Sequence, residues 1–158
     1  MTPADLETVQ AIDRQSFPTP WPEKAFRFEL SRNSICWVAE ILDSDGGVRL
    51  VGSMVIWQAQ KRAHIATLAV RPGMRRQGIG TRLLARGLME ARQQGARAAT
   101  LEVRETNTAA QDLYRSFGFA VVGRNPGYYK DTGEDAILMR LDALDAARLA
   151  VLIEPESD

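Results

Sequence analysis

Apolar residues recur at helical spacing along the first thirty positions, and the pattern then changes to that of strands. Leu6, Val9 and Ile12 follow Thr2 and Pro3, which suit a helix cap and first helical position, and together they predict a helix reaching about Gln15. The prolines at 18, 20 and 22 in FPTPWP break it. A second short helix is predicted from Glu23 to about Ser31, with Phe26 and Leu30 facing inward. ICWVAEIL and VRLVGSMVIWQ read as strands joined across the turn DSDGG, and AHIATLAV as a third strand.

Farther along, Ile79, Leu83, Leu84, Leu88 and Ala91 make the apolar stripe of a long helix, about 79 to 94, which Gly95 ends. ARAATLEV is the next strand. Asn107 can cap a helix of about 108 to 117, with Leu113 and Phe117 one turn apart and Gly118 as its stop. FAVVG and DAILMRL supply two last strands. No repeat interrupts this order and no linker divides it, so the prediction is a single domain over 1–158 with a mixed α/β sheet flanked by helices. The closing EPESD reads as frayed, and the tail as loose from about 150.

Composition narrows the partners. A chain of 158 residues, 45% apolar and 25% charged, can bury about two thirds of its unfolded surface around one core. Twenty Lys and Arg balance twenty Asp and Glu, which removes the global electrostatic case for a nucleic-acid or membrane-surface protein. The single cysteine, Cys36, lies in an apolar run and reads as a packing thiol, and alone it supports neither a disulfide framework nor a zinc cluster. The first ten residues lack the basic and apolar regions of a signal peptide, and no apolar stretch approaches the ~20 residues of a membrane span. A cytoplasmic enzyme or binding module is expected. His64, the one histidine, reads as a surface or satisfied core imidazole, and no metal site is expected.

The candidate chemistry begins with RRQGIG at 75–80, a glycine loop opening the long helix. A dinucleotide fingerprint would need a third glycine in register, where Arg82 and Leu83 stand. A Walker loop would need a lysine and then Ser or Thr after its second glycine, whereas Gly80 is followed by Thr81 and Arg82. What remains is a run of backbone N–H groups at a helix start, bare of side chains at Gly78 and Gly80, that presents partial positive charge to a pyrophosphate. An ordinary glycine turn with two solvated arginines is the alternative.

R-x-x-G-x-G directly after the strand IATLAV resembles the acetyl-CoA signature of the GNAT superfamily of N-acetyltransferases. LEVRETNTAAQDLYRSFGF, residues 101–119, resembles its second signature. SFPTPWPEKAF, LEVR and YYKDTGEDAILM extend the likeness, over about 16–141, to the RimI family, which acetylates the N-terminal alanine of the eighteenth small-subunit ribosomal protein. Chains of that family usually begin with a short strand before the first helix, whereas this one starts at the helix. Its tail DALDAARLAVLIEPESD also runs past the usual end.

The resemblance implies the GNAT fold with a mostly antiparallel sheet, acetyl-CoA as cosubstrate, and a protein N-terminus as acceptor. It implies Glu102 as general base and Tyr114 as general acid. From the residues alone, Glu102 is a solvated strand carboxylate opposite the apolar Leu101 and Val103, and Tyr114 is a helix aromatic anchored in the core. For the coenzyme the resemblance implies backbone contacts at Leu68 and Val70, a pyrophosphate site at Arg75, Arg76, Gln77, Gly78, Ile79, Gly80 and Thr81, and a pantetheine contact at Asn107, otherwise a helix cap. For the peptide it implies Phe17, Trp21, Tyr128 and Tyr129, with Glu134 and Asp135 attracting a basic tail. Packing, a loop anchor and a solvated turn are the corresponding alternatives. Two rival functions stand beside this one: a GNAT enzyme for other N-termini or a small amine, and a noncatalytic acetyl-CoA-binding module.

Overall fold

A computed structural model describes residues 1–154. A 3-10 turn at Pro3–Asp5 leads into α1 (Leu6–Ser16), and the Thr2 backbone N–H donates to the Asp5 carboxylate at 2.7 Å, closing the cap. After the proline loop comes α2 (Glu23–Ser31). Three strands follow, β1 (Ile35–Leu42), β2 (Val48–Ala59) and β3 (Arg62–Val70). The β1–β2 turn is the one expected at DSDGG: Asp43 N–H donates to the Gly47 carbonyl at 2.8 Å, and Gly46 has φ +81°. The remaining elements are α3 (Ile79–Gln93), β4 (Ala98–Arg104), α4 (Thr108–Ser116), β5 (Ala120–Asn125), β6 (Ala136–Leu141) and α5 (Ala146–Ile153).

All six strands join one sheet in the order β1-β2-β3-β4-β6-β5, antiparallel at every pairing except β3 with β4. That parallel pair needs a crossover, which α3 supplies. On one face of the sheet α3 packs Leu84 and Leu88 against Met54, Ile56, Leu101 and Met139. Contact there is so close that a Cβ on Gly87 would stand 2.1 Å from the Met54 Cε. On the other face α1 and α2 bring Leu6, Val9, Ile12 and Phe26 against Leu50 and Val55. Cys36 packs at the border of that second cluster, and burial pushes its thiol up to about 11, so it stays protonated at neutral pH.

The sheet is interrupted where it matters. β3 and β4 pair only from Arg62 with Ala98 to Ile65 with Leu101, and the β2–β3 register slips at the same point, with Val55 opposite Thr67 and Ile56 opposite Ile65. Ala66 is therefore the extra residue of a bulge, which bends the strand. Among the described residues, positions 66–70 of β3 have no ladder partner on the β4 side.

The tail departs from expectation. Instead of loosening near 150, it forms α5 through Ile153, packed on α3 with Leu149 buried and capped by the Asp145 carboxylate, which accepts from the N–H groups of Ala147 and Arg148. The rest of the expected frayed end, 155–158, lies outside the described residues. Among the described residues, no helix is long and apolar enough to cross a membrane.

Candidate active site

The loop from Arg75 to Gly78 combines two left-handed residues, Arg76 at φ +61° and Gly78 at φ +78°. Such alternation turns successive N–H groups to one side, and α3 then begins at Ile79 with no side chain capping it. The first intrahelical bond on this side runs from Arg82 N–H to the Gly78 carbonyl, which leaves the N–H groups of Ile79, Gly80 and Thr81 without helical acceptors. An anion fits there on backbone grounds alone. Arg75 braces the loop, its Nε donating to the Val70 carbonyl at 3.0 Å and its guanidinium reaching Ser16 Oγ at 3.3 Å.

This loop lines a cavity of about 720 Å³. Leu68 and Val70 line it from the unpaired edge of β3, and Asn107 and Tyr114 from α4. A molecule with a diphosphate and amide groups finds suitable partners here: bare N–H groups at the helix start and a strand edge without a ladder partner at positions 66–70 among the described residues. Phe17, Arg75, Arg76, Gly78, Ile79, Gly80, Thr81 and Glu134 also lie on its wall. Gln77, Trp21, Glu102, Tyr128, Tyr129 and Asp135 are not part of that lining.

Two ionisable groups matter for the chemistry, Tyr114 on the cavity wall and Glu102 outside its lining. Tyr114 is almost fully buried, edge-on to Phe119 with ring centroids 5.7 Å apart, and burial pushes its phenol above the ordinary value, with the neighbouring Tyr129 adding to the shift. It is a protonated donor at any physiological pH. Glu102 lies half-buried on β4, its face opposite to the buried Leu101 and Val103, as strand alternation requires. The Glu102 carboxylate near the Tyr128 hydroxyl, with burial adding to it, pushes that hydroxyl up to about 12. Tyr128 and Tyr129 pack edge-on at 5.1 Å, and Arg104 lies 4.0 Å from the Tyr129 ring centre.

Asn107 does cap α4, accepting from Ala110 N–H at 3.2 Å, while also facing the cavity. His64 bonds Thr100 Oγ1 through Nδ1 at 2.9 Å and stacks on Trp57, and burial lowers its pKa while Glu102 opposes the shift. Trp21 stacks in turn on Trp57, at 6.3 Å, so an aromatic row runs from the proline loop across this face of the sheet. The two acids expected to attract a basic tail are already engaged. Glu134 bonds the Thr106 hydroxyl at 2.6 Å, and Asp135 bonds Arg124 at 2.7 Å and Gly127 N–H at 2.9 Å, so both sit below their ordinary pKa values.

Several residues that build the site carry no signal in the sequence read alone. Asp13 is fully buried on α1, and its Oδ2 accepts from Trp21 N–H at 2.6 Å, which fixes the proline loop. Gln111 Nε2 donates to the carbonyls of Arg104 and Glu105, both at 3.0 Å, and ties α4 to the end of β4. Asp131 joins Arg104 to Thr19. A glutamine four residues after a cap leaves only a weak hint, and the other two show none.

Comparison with known proteins places this geometry. The Acetyltransferase (GNAT) family matches residues 6–119. A Mycobacterium tuberculosis protein named N-alpha-acetyltransferase RimI is 35% identical over 155 residues, covering 92% of this chain and 91% of its own. An Escherichia coli protein named ribosomal protein bS18-alanine N-acetyltransferase is 33% identical over 141 residues, with coverage of 87% and 90%. The crystal structure of the ribosomal-protein-S18-alanine N-acetyltransferase from Escherichia coli superposes with a TM-score of 0.77 at 28% identity, covering 92% of both chains.

Proposed function

The chain belongs to the GNAT acetyltransferase family, and from that premise we propose that it acetylates the α-amine of a protein N-terminus beginning with alanine, a ribosomal protein foremost. It is an acyltransferase whose acetyl donor is acetyl-CoA. That donor supplies an activated thioester carbonyl. The loop at Arg76 to Thr81 holds its pyrophosphate, the free edge of β3 at Leu68 and Val70 meets the amide groups of its arm, and the Asn107 amide reaches the same arm.

Transfer needs a neutral amine, a polarised carbonyl and a proton for the departing thiolate. Glu102 takes the ammonium proton through a water molecule, Tyr114 donates its phenolic proton to the sulfur, and strand N–H groups polarise the carbonyl. The acceptor enters between the loop carrying Phe17 and Trp21 and the pair Tyr128 and Tyr129. Glu134 and Asp135 hold the second loop in shape, since their charges are paired internally.

The observation that carries this reading is the buried phenol of Tyr114, held protonated, on the wall of the same cavity that a bare helix terminus lines. The choice of an α-amine follows from the weakness of a lone carboxylate as base. An α-amine of pKa ~8 is about 10% neutral at pH 7, whereas a lysine of pKa ~10.4 is about 0.04% neutral, a difference of about 3 kcal/mol. A ribosomal acceptor also places the enzyme in the cytoplasm. Mass spectrometry after incubation with acetyl-CoA and an alanine-starting ribosomal peptide, a lysine peptide or a polyamine tests the reading. Acetylation confined to the lysine side chain or the polyamine rejects it.

A further inference from the structure

The proline loop and the loop after Tyr129 stand far apart in the chain, yet the Thr19 hydroxyl donates to Asp131 Oδ2 at 2.7 Å across 112 positions. Among the described residues, no other side-chain hydrogen bond joins these two loops. Neither foot of this bond, Thr19 or Asp131, lines the cavity, but each is tied to a residue that does: Pro18 is next to Thr19 in the chain, and Arg104 grips Asp131. The bond therefore couples two separate segments of the cavity lining.

Neither foot is free to give way. Thr19 stands between Pro18 and Pro20, whose rings fix the backbone on both sides. Asp131 is held by Arg104 through two bonds, at 3.1 and 2.8 Å, and Arg104 rests on the Tyr129 ring. Arg104, with Thr19 behind it in importance, keeps the Asp131 carboxyl down to about 2, so it remains a charged acceptor throughout the working pH range. Exposed polar pairs add little to stability, so the effect of this one lies in fixing the two loops relative to each other.

We propose that Thr19 and Asp131 are specificity-determining residues whose bond straps the acceptor opening and restricts the first residue of the acceptor to a small side chain. The inference rests on the N-terminal reading above. An alanine methyl group passes beneath the strap, whereas a leucine side chain must part it.

The test compares kcat/KM for two peptides that differ only in an alanine or leucine start, using the wild type, Thr19→Val and Thr19→Ser. Valine keeps the shape of threonine and removes the donor, and serine keeps the donor. Loss of the strap narrows the alanine-to-leucine preference by about tenfold, the scale on which pockets discriminate methylene groups. Thr19→Ser retains the wild-type preference, and acetyl-CoA affinity by calorimetry is the same in all three. An unchanged preference in Thr19→Val, or an equal loss in both variants, overturns the strap. If the wild type acetylates neither peptide while acetylating a lysine or polyamine, the N-terminal reading fails first and removes this inference with it.

Discussion

Replacing Asp13 with asparagine isolates the cost of keeping a charge in the core of the acceptor loop. Asp13 is completely buried, its Oδ2 holds Trp21 N–H, and its Oδ1 has no hydrogen-bond partner. Burial accordingly raises its pKa from 3.8 to about 6, against the opposing hydrogen bond from Trp21. The folded state thus binds the proton more tightly than the unfolded one. The resulting stability is fully present below pH 3.8 and is lost as pH rises through about 6. Two pKa units correspond to about 3 kcal/mol in full, of which about 2 kcal/mol is lost between pH 4 and pH 7. Asparagine keeps an acceptor for Trp21 and never ionises, although its amide group inherits the unpartnered position at a cost of about 1–3 kcal/mol. The absolute stability of the variant is thus a poor readout, whereas its difference from the wild type is a good one. Urea unfolding of both proteins at pH 4, 5, 6 and 7 should show the variant gaining about 2 kcal/mol relative to the wild type over that range. Other carboxylates cancel in the difference. A wild-type-to-variant gap independent of pH would refute the argument, because Asp13 would then titrate as it does in the unfolded chain.

Three further outcomes are expected. Tyr114→Phe removes the buried donor without changing its packing and should lower kcat by about 10² or more while acetyl-CoA affinity by calorimetry holds. Glu102→Gln should lower kcat/KM on the same scale, and an unchanged kcat/KM would remove this carboxylate from the reaction. Gly87→Ala should destabilise the fold by about 1–3 kcal/mol in urea titrations, because the added methyl overlaps Met54 and Ile56, an overpacking that outweighs alanine's helix preference of about 1 kcal/mol.

The sheet and the first four helices were legible because their signals are local. The stripe of Ile79, Leu83, Leu84 and Leu88, the turn at Gly46 and the stop at Gly118 each need only a few neighbours to be read. α5 was missed because AARLAVLI is only eight residues long and almost wholly apolar, which a buried strand would be as well, and its cap at Asp145 is ordinary in a loop. Within the site, the glycine loop was readable, whereas the pairing of Arg104 with Asp131 and the burial of Asp13 depend on loops folding over residues that look solvated in sequence. Asp13 sits between Ile12 and Arg14 on an amphipathic helix, and only the returning proline loop turns it into an interior residue. Gln77 belongs to the readable loop but not to the cavity wall, because its neighbours in left-handed conformation turn the backbone, rather than every side chain, inward.

The sheet amounts to two three-stranded ribbons stitched together by only four residue pairs, Arg62 to Ile65 with Ala98 to Leu101. On the proposed reading, a donor laid along the gap would act as a seam between them, adding contacts where the ladder has none as well as delivering acetyl. Mass action then sets a scale: donor at a hundredfold excess over its Kd adds about 2.7 kcal/mol against unfolding. The resilience of the fold is in this way tied to the supply of its own fuel.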